Sequence, residues 1–549
     1  MKHLMTSYLV GCAMALIAAT CSGVTYAAET STASGLAVAP LFTDRMILQE
    51  GMPVPVWGWT TPGHTVTVSF ATQTVTGIAG ADGRWEARLK PLTTAAEGRT
   101  LTISDGPTTT TFQDVLVGEV WLCSGQSNMA LRLPLADGGP EAVQKAGDTN
   151  LRLFSTNDAL PWPMPTEPRV RTFAPREKAY AWRHADPESA ADMSAVAWFF
   201  AQELRRELKK PVGLILASRG GTLGESWISR QALRADPKLV AMSDLTDQWF
   251  ADGPAARQRQ QAAQAAWKVA TEAAKAAGKP EPAKPKNEEA LGTTSYASGC
   301  YNNFIAAMHP FAMRGVIWYQ GEGNGGNNIK QVSSGAKYER VLSTLITDWR
   351  QRWNQEHLYF LIVQLANYCP PPAAPLERDG WSEVRAAQAL IATTVPDCGL
   401  AVINDLGDAK NIHPTRKAQV GQRLGLAARA KVYGQNVIYS GPVFKDMTIS
   451  GSTVRMHFDQ AHGGLVAANG GLTGFAVAGA DHQWAWAEAR IDGDTVVLTS
   501  SAVPNPVAAR YAWSIGAVGT LFNGAGLPAS PFRTDDWPGV GTENAPMQR

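Results

Sequence analysis

The sequence predicts an α/β protein built on a parallel sheet, with a β-sandwich before it and a second β-domain after it. Three observations carry this expectation. Short alternating runs punctuated by Gly and Pro fill residues 36–114; from Val115 onward, buried apolar strands alternate with amphipathic helical stretches; and strand-like alternation returns from about Ile438 to Phe532. A chain of 549 residues is too long for one hydrophobic core, and its 45% hydrophobic content suits globular domains throughout.

The first region, residues 36–114, shows Val54-Pro55-Val56-Trp57, the turn Thr61-Pro62-Gly63, a run from His64 to Phe70, and Asp82-Gly83 before Arg84-Trp85-Glu86. Half-buried strands between tight turns make a small sandwich. The middle region, residues 115–435, opens on the nearly continuous apolar run Val115 to Leu122. Ser194 can N-cap a helix whose Phe200, Leu204 and Leu208 recur every four residues, and Val212 to Ala217 follows as a second buried strand. Gly315 to Tyr319, Tyr359 to Leu365 and Ala401 to Ile403 supply three more, with helices over Tyr338 to Trp353 and from about Thr415 to Val432. This alternation is that of a parallel sheet with helices on its faces. Residues 231–295 read as an insertion, with an exposed helix and a Pro/Lys-rich linker within 254–290; a lid over the site is the functional alternative. The last region, residues 436–535, includes the alternating runs Thr453 to Phe458 and Thr495 to Leu498.

With 49 basic and 48 acidic residues, and no block of like charge, the chain has no electrostatic footprint for nucleic acid or a membrane surface. A neutral partner is expected. Residues 1–27 read as a signal peptide: Lys2 and His3 lead into the apolar stretch Tyr8 to Ala19, and Thr25-Tyr26-Ala27 supplies small residues before cleavage after Ala27. A lipoprotein reading at Cys21 is weaker, because Thr20 precedes the cysteine. The expectation is an exported monomer, periplasmic or extracellular, with no membrane span. Cys123, Cys300, Cys369 and Cys398 are too few for a disulfide framework, although a Cys369–Cys398 bridge suits an oxidising compartment. No HExxH or CxxC occurs, so no metal or cofactor is expected.

The chemistry concentrates where Glu119 to Cys123 runs into the turn Ser124-Gly125-Gln126-Ser127-Asn128-Met129. Beyond the carboxyl end of a parallel strand, Ser127 faces the crevice in which such sheets bind ligands. Taken alone it is more often a helix cap. Two further strand ends change that balance: Ser218-Arg219-Gly220-Gly221-Thr222, and Trp318-Tyr319-Gln320-Gly321-Glu322-Gly323-Asn324. Fixed N–H donors there can stabilise an oxyanion, each worth roughly 3–4 kcal/mol of barrier. A serine hydroxyl also needs a base. His64, His357, His457, His462 and His482 lie in or beside β-structure, and His184 and His309 sit in less defined positions. His413, in Asp405-Leu406-Gly407-Asp408-Ala409-Lys410-Asn411-Ile412-His413-Pro414, lies in a loop between the last strand and a helix and is the best candidate.

The segments GQSNM, GGT, WYQGEGN and IHP, in this order, resemble the sialate O-acetylesterase family and related bacterial carbohydrate acetylesterases of the SGNH hydrolase superfamily. Tyr301-Asn302-Asn303, Trp349-Arg350, Val363-Gln364-Leu365 and Arg385-Ala386-Ala387-Gln388 extend the likeness across residues 36–435. The resemblance implies a flavodoxin-like three-layer core and a secreted serine esterase that removes O-acetyl groups from a carbohydrate such as xyloglucan, xylan or sialic acid. It implies Ser127 as nucleophile and His413 as base. It places oxyanion donors at Ser127, at Gly220 or Gly221, and at Asn324 ahead of Gln320. Gln126 and Glu322 fall on the substrate side, Glu322 as an orienting residue or equally as a buried structural carboxylate; because sugar rings stack on aromatic faces, Trp227, just after the Gly-Gly turn, is the first candidate for a substrate contact. The superfamily's acid stands three residues before the histidine, where this chain has Lys410; Asp408 is preferred as the acid, then Asp405, then a backbone carbonyl. A lipase or thioesterase of the same fold, and a carbohydrate-binding protein without catalysis, are the rival readings.

Overall fold

The computed structural model describes residues 35–539 apart from 157–167, 172–179, 286–295, 326–334, 376–377 and 469–470. The expected signal peptide and the lipoprotein alternative therefore lie outside the described residues.

The central sheet is built from β1 (Thr109–Gly125), β2 (Asp148–Ser155), β3 (Arg183–Ala185), β4 (Val212–Ser218), β5 (Gly315–Tyr319), β6 (Tyr359–Val363) and β7 (Cys398–Ala401). Their spatial order is β3-β2-β4-β1-β5-β6-β7. Only the edge strand β3 runs antiparallel to its neighbour. From β1 the chain crosses to β2 and the edge strand β3, returns to β4 beside β1, and then builds to the other side through β5, β6 and β7. The reversal falls between β1 and β5, the switch point where a crevice opens beyond the strand ends.

Alternate residues of each strand feed opposite faces, as the period of two requires. Trp121, Leu214, Ile317 and Leu361 join one apolar layer with α1 (Ala195–Leu208) and α4 (Lys417–Lys431). Leu122, Ile215, Trp318 and Phe360 join the other with α2 (Gly335–Trp353) and α3 (Gly380–Thr394). The result is a three-layer core. Helices α1 and α4 approach closely because Gly421 and Gly425 leave room: a Cβ at either would lie within 2.6 Å of Phe199 or Glu203 atoms.

Strand β1 is 17 residues long and serves two sheets. Its first half pairs antiparallel with Ala95–Ser104, while its second half lies between β4 and β5. Exposure alternates up to Asp114, whose φ of 57° bends the chain, and every residue from Val115 to Gly125 is buried. The compositional change at Val115 thus marks a change of burial within one strand rather than a linker. Ahead of it, the sheet of Ala37–Val38, Val54–Trp59 and Arg84–Leu89 and the sheet of Thr65–Phe70, Gln73–Ile78 and Ala95–Ser104 share the buried residues Trp57, Trp85, Val66 and Leu101.

After the core come two four-stranded antiparallel sheets, one containing Thr453–Asp459 and the other Phe475–Ala478. They are fastened to the α/β core by hydrogen bonds: Arg385 donates to Ser514 O at 2.8 Å, and Asn404 Nδ2 donates to Ala529 O at 3.2 Å.

Several expectations are corrected. The last strand lies over Cys398–Ala401, three residues before the expected start at Ala401. Strands β2 and β3 and helix α3 had no sequence counterpart. Arg152 makes the middle of β2 read as surface, yet it is buried because it pairs with Asp114 at 2.8 Å. The insertion's helix spans Val240–Ala276, starting well before 254, and Trp267 Nε1 donates to Pro282 O as the linker folds back on it. All four described cysteines are free, so Cys369 and Cys398 are not bridged. Among the described residues, no helix is long and apolar enough to cross a membrane.

Candidate active site

The turn after β1 is dictated by Gly125. Its φ is 136°, and a Cβ there would stand 2.1 Å from Tyr319 O, so β1 and β5 close together only over a glycine. Gln126 N then donates to Tyr319 O at 2.9 Å, and the chain enters the short helix Ser127–Ala130 with Ser127 in its first position. From the loop before α4, His413 reaches across: its Nε2 lies 2.8 Å from Ser127 Oγ, and both residues are half-buried. With a proton on Nδ1, the imidazole accepts the serine hydroxyl proton at Nε2. Burial, then the nearby Lys417 ammonium, hold the His413 pKa below its ordinary 6.5, which favours the neutral base.

The glycine pair after β4 stands beside the serine. A Cβ on Gly220 would lie 3.4 Å from Ser127 Cβ. Among the described residues, no protein acceptor takes the N–H of Ser127, Gly220 or Gly221. The N–H groups of Ser127 and Gly220 are thus uncommitted among the described residues, with Gly220 beside the serine side chain.

Within the third block, hydrogen bonds distinguish the two expected donors, Asn324 and Gln320. Gln320 is fully buried, and its Nε2 is shared by Asn324 Oδ1 at 2.7 Å, Thr222 O at 3.1 Å and Gln126 Oε1 at 3.3 Å. An amide nitrogen has two hydrogens, so Gln320 has none left for an oxyanion. Asn324 Nδ2 donates to Glu225 Oε2 at 3.0 Å and keeps a second N–H. Gln126 is buried as well, its Oε1 accepting from the N–H groups of Gly321 and Gly323 at 3.3 and 3.1 Å, so that it braces the loop. Trp227 is fully buried, T-shaped against Trp318 and stacked on Phe304, with Nε1 donating to Thr222 Oγ1. It is core, and the substrate contact expected of it is withdrawn. Glu322 is buried and bonded to Asn128 Nδ2 at 2.6 Å, which fits the structural one of its two readings.

The acid is corrected too. The exposed Asp408 accepts the backbone N–H of Lys410 and Asn411 at 2.7 and 3.1 Å, an Asx turn that shapes its own loop. Asp405 grips Arg423 through both oxygens at 2.6 and 2.7 Å. Among the described residues, neither carboxylate bonds to His413. What holds the histidine is Asn411 Oδ1 on its backbone N–H at 2.9 Å, and Asn128 Nδ2, which donates to the carbonyl of Ile412 at 2.9 Å. Asn128 and Lys417 are the site residues that sequence reading passed over. Asn128 sat inside the GQSNM segment; Lys417 falls on the buried face of α4 with Val420 and Leu424, where a lysine is out of place. No group of acidic, histidine or cysteine side chains able to hold a metal occurs among the described residues.

Comparison with known proteins identifies the family. Residues 117–240 and 289–430 match the family described as carbohydrate esterase, sialic acid-specific acetylesterase. Rat sialate O-acetylesterase is 27% identical over 91% of this chain and 94% of its own length. The human enzyme is 27% identical over 76% of this chain and 75% of its own length. The crystal structure of a carbohydrate acetylesterase from Xanthomonas citri is 33% identical, covers 91% of this chain and 99% of its own, and superposes with a TM-score of 0.74. The chain belongs to the sialic acid-specific acetylesterase family of carbohydrate esterases, and it is a carboxylic ester hydrolase of the carbohydrate O-acetylesterase kind.

Proposed function

We propose that this chain is an exported esterase that releases acetate from neutral O-acetylated polysaccharides of the xyloglucan or xylan class ahead of O-acetylated sialic acid, with Ser127 as nucleophile and His413 as general base. The 2.8 Å approach of His413 Nε2 to Ser127 Oγ carries the assignment of roles. Ser127 Oγ attacks the acetyl carbonyl as its proton passes to Nε2. The oxyanion is met by the N–H groups of Ser127 and Gly220, with the spare Asn324 N–H as third donor. Collapse expels the sugar hydroxyl, which takes the proton from His413; water, deprotonated by the same imidazole, then releases acetate. The preference for a neutral glycan is supported by the net charge of +1.

The test is acetate release from a panel of acetylated xyloglucan, xylan and sialic acid, with wild type and Ser127→Ala. The serine variant is expected to lose at least about 10⁴-fold in kcat while keeping its melting temperature. Retained activity would remove Ser127 from the mechanism. Faster turnover of the sialate would reverse the substrate order, and a preference for long-chain p-nitrophenyl esters over the acetate would favour a lipase.

A further inference from the structure

Beneath the Ser127–His413 pair lies a polar chain that the reaction above does not use. Lys417, at the start of α4, is fully buried, and its Nζ donates to Asn128 Oδ1 at 2.5 Å. The Asn128 amide nitrogen faces the other way, donating to Glu322 Oε1 and to the carbonyl of Ile412. An ammonium only donates and a carboxylate only accepts, so the two charged ends fix which way this amide points. Two neighbouring polar atoms, Glu322 Oε2 and Tyr319 OH, are buried with no partner among the described residues, and the Lys417 ammonium lies 5.1 Å from the centre of the Tyr319 ring. A buried lysine without a full counter-ion contact is costly to keep. A purely structural position would be filled more cheaply by an apolar side chain.

We propose that Lys417 is a positioning residue for ester hydrolysis: acting through Asn128 against Glu322, it ties the turn that carries Ser127 to the loop that carries His413. The inference rests on the roles given above to those two residues. Asn128 is adjacent to Ser127 in sequence, and its bond to Ile412 O holds the residue before His413, so one amide sets the separation of nucleophile and base. The same ammonium acts on His413 by charge, disfavouring the imidazolium. Among the charged groups around it, Glu322 is the one that opposes the burial of Lys417, whose pKa burial pulls down to about 7. The loop carboxylates are engaged elsewhere, Asp405 with Arg423 and Asp408 with backbone N–H groups, and Arg416 donates to Gly407 O. On the acid limb of the pH profile Lys417 is therefore protonated and repels a second proton on the imidazole.

The test is kinetic, on p-nitrophenyl acetate, with Lys417→Met and Asn128→Leu alongside Ser127→Ala. Wild type should show an acid limb of kcat/KM below pH 6.5, the ordinary histidine value. Lys417→Met should lower kcat by about 10- to 100-fold, as a displaced reacting group does. Its KM should stay within about twofold of wild type. Its acid limb should move to higher pH by roughly half a unit or more, because the repulsion is gone. Asn128→Leu should lose a comparable amount of kcat with KM likewise within about twofold, since the same tie between the two loops is cut. If Lys417→Met melts early, reading its acid limb at a temperature well below the transition still separates charge from folding. Wild-type kcat and an unmoved limb in Lys417→Met, with Ser127→Ala inactive, would overturn the role of Lys417 alone. An active Ser127→Ala would instead overturn the reading on which it rests.

Discussion

At the residue scale, the informative contacts are those that commit a side chain elsewhere. Gln320 and Trp227 have the right chemistry for an oxyanion donor and a sugar platform, but their hydrogen bonds and burial spend them on holding the strand ends together. The same reasoning governs the acid. In a serine triad the carboxylate bonded to the imidazole is worth about 10⁴-fold in turnover, because its loss favours the wrong tautomer. Here Asp408 bonds to two backbone N–H groups and Asp405 to Arg423. Asp408→Asn is therefore expected to keep kcat within about tenfold of wild type, while His413→Ala falls to the level of Ser127→Ala. Rate measurements on one acetyl ester decide it: a loss in Asp408→Asn as deep as in His413→Ala would show that the loop closes on the imidazole during turnover.

At the scale of elements, the site is a consequence of how three strand ends approach one another. Gly125 and Gly220 make the point by contrast. A methyl group on Gly125 meets a backbone carbonyl at 2.1 Å in a left-handed conformation, whereas one on Gly220 meets only Ser127 Cβ at an ordinary 3.4 Å. Gly125→Ala should therefore destabilise the fold by more than about 2 kcal/mol and abolish activity. Gly220→Ala should melt like wild type and alter only turnover. Thermal melts beside esterase assays separate the two, and equal melting of both variants would contradict the close packing of β1 on β5.

For the whole molecule, the flanking β-sheets are joined to the core in different ways. The first shares β1 with the core, so it cannot be removed without cutting a strand of the central sheet. The second is held by buried polar contacts, foremost Arg385, whose guanidinium donates to the carbonyls of Leu365 and Ser514 and whose burial pulls its pKa down to about 10. A chain ending at 435 would leave that cation without its outer acceptor, and Asn404 without the carbonyl of Ala529. Such a truncation is expected to express poorly or melt several degrees lower, and a fragment as stable as the full chain would show that the second β-domain is an independent appendage.

The sequence by itself determined the principal strands of the sheet and the turn that carries Ser127, and it singled out His413 as the histidine beside it, because each is written in short-range pattern. Apolar runs set strands, and glycines at strand ends permit close backbone approach. Only the tertiary structure decided which polar side chains face the crevice. The roles of Gln126, Gln320, Glu322, Trp227 and Asp408 depend on partners that no local pattern encodes: Thr222 and Asn324 for Gln320, Phe304 and Trp318 for Trp227. The strand Asp148–Ser155 was hidden for the same reason, since Arg152 is buried only through its pairing with Asp114, 38 residues away. Lys417 and Asn128 meet across 289 residues. A hydrogen bond or ion pair at that separation forms only once the sheet has assembled, because the chain must first be brought together by burial of its apolar strands.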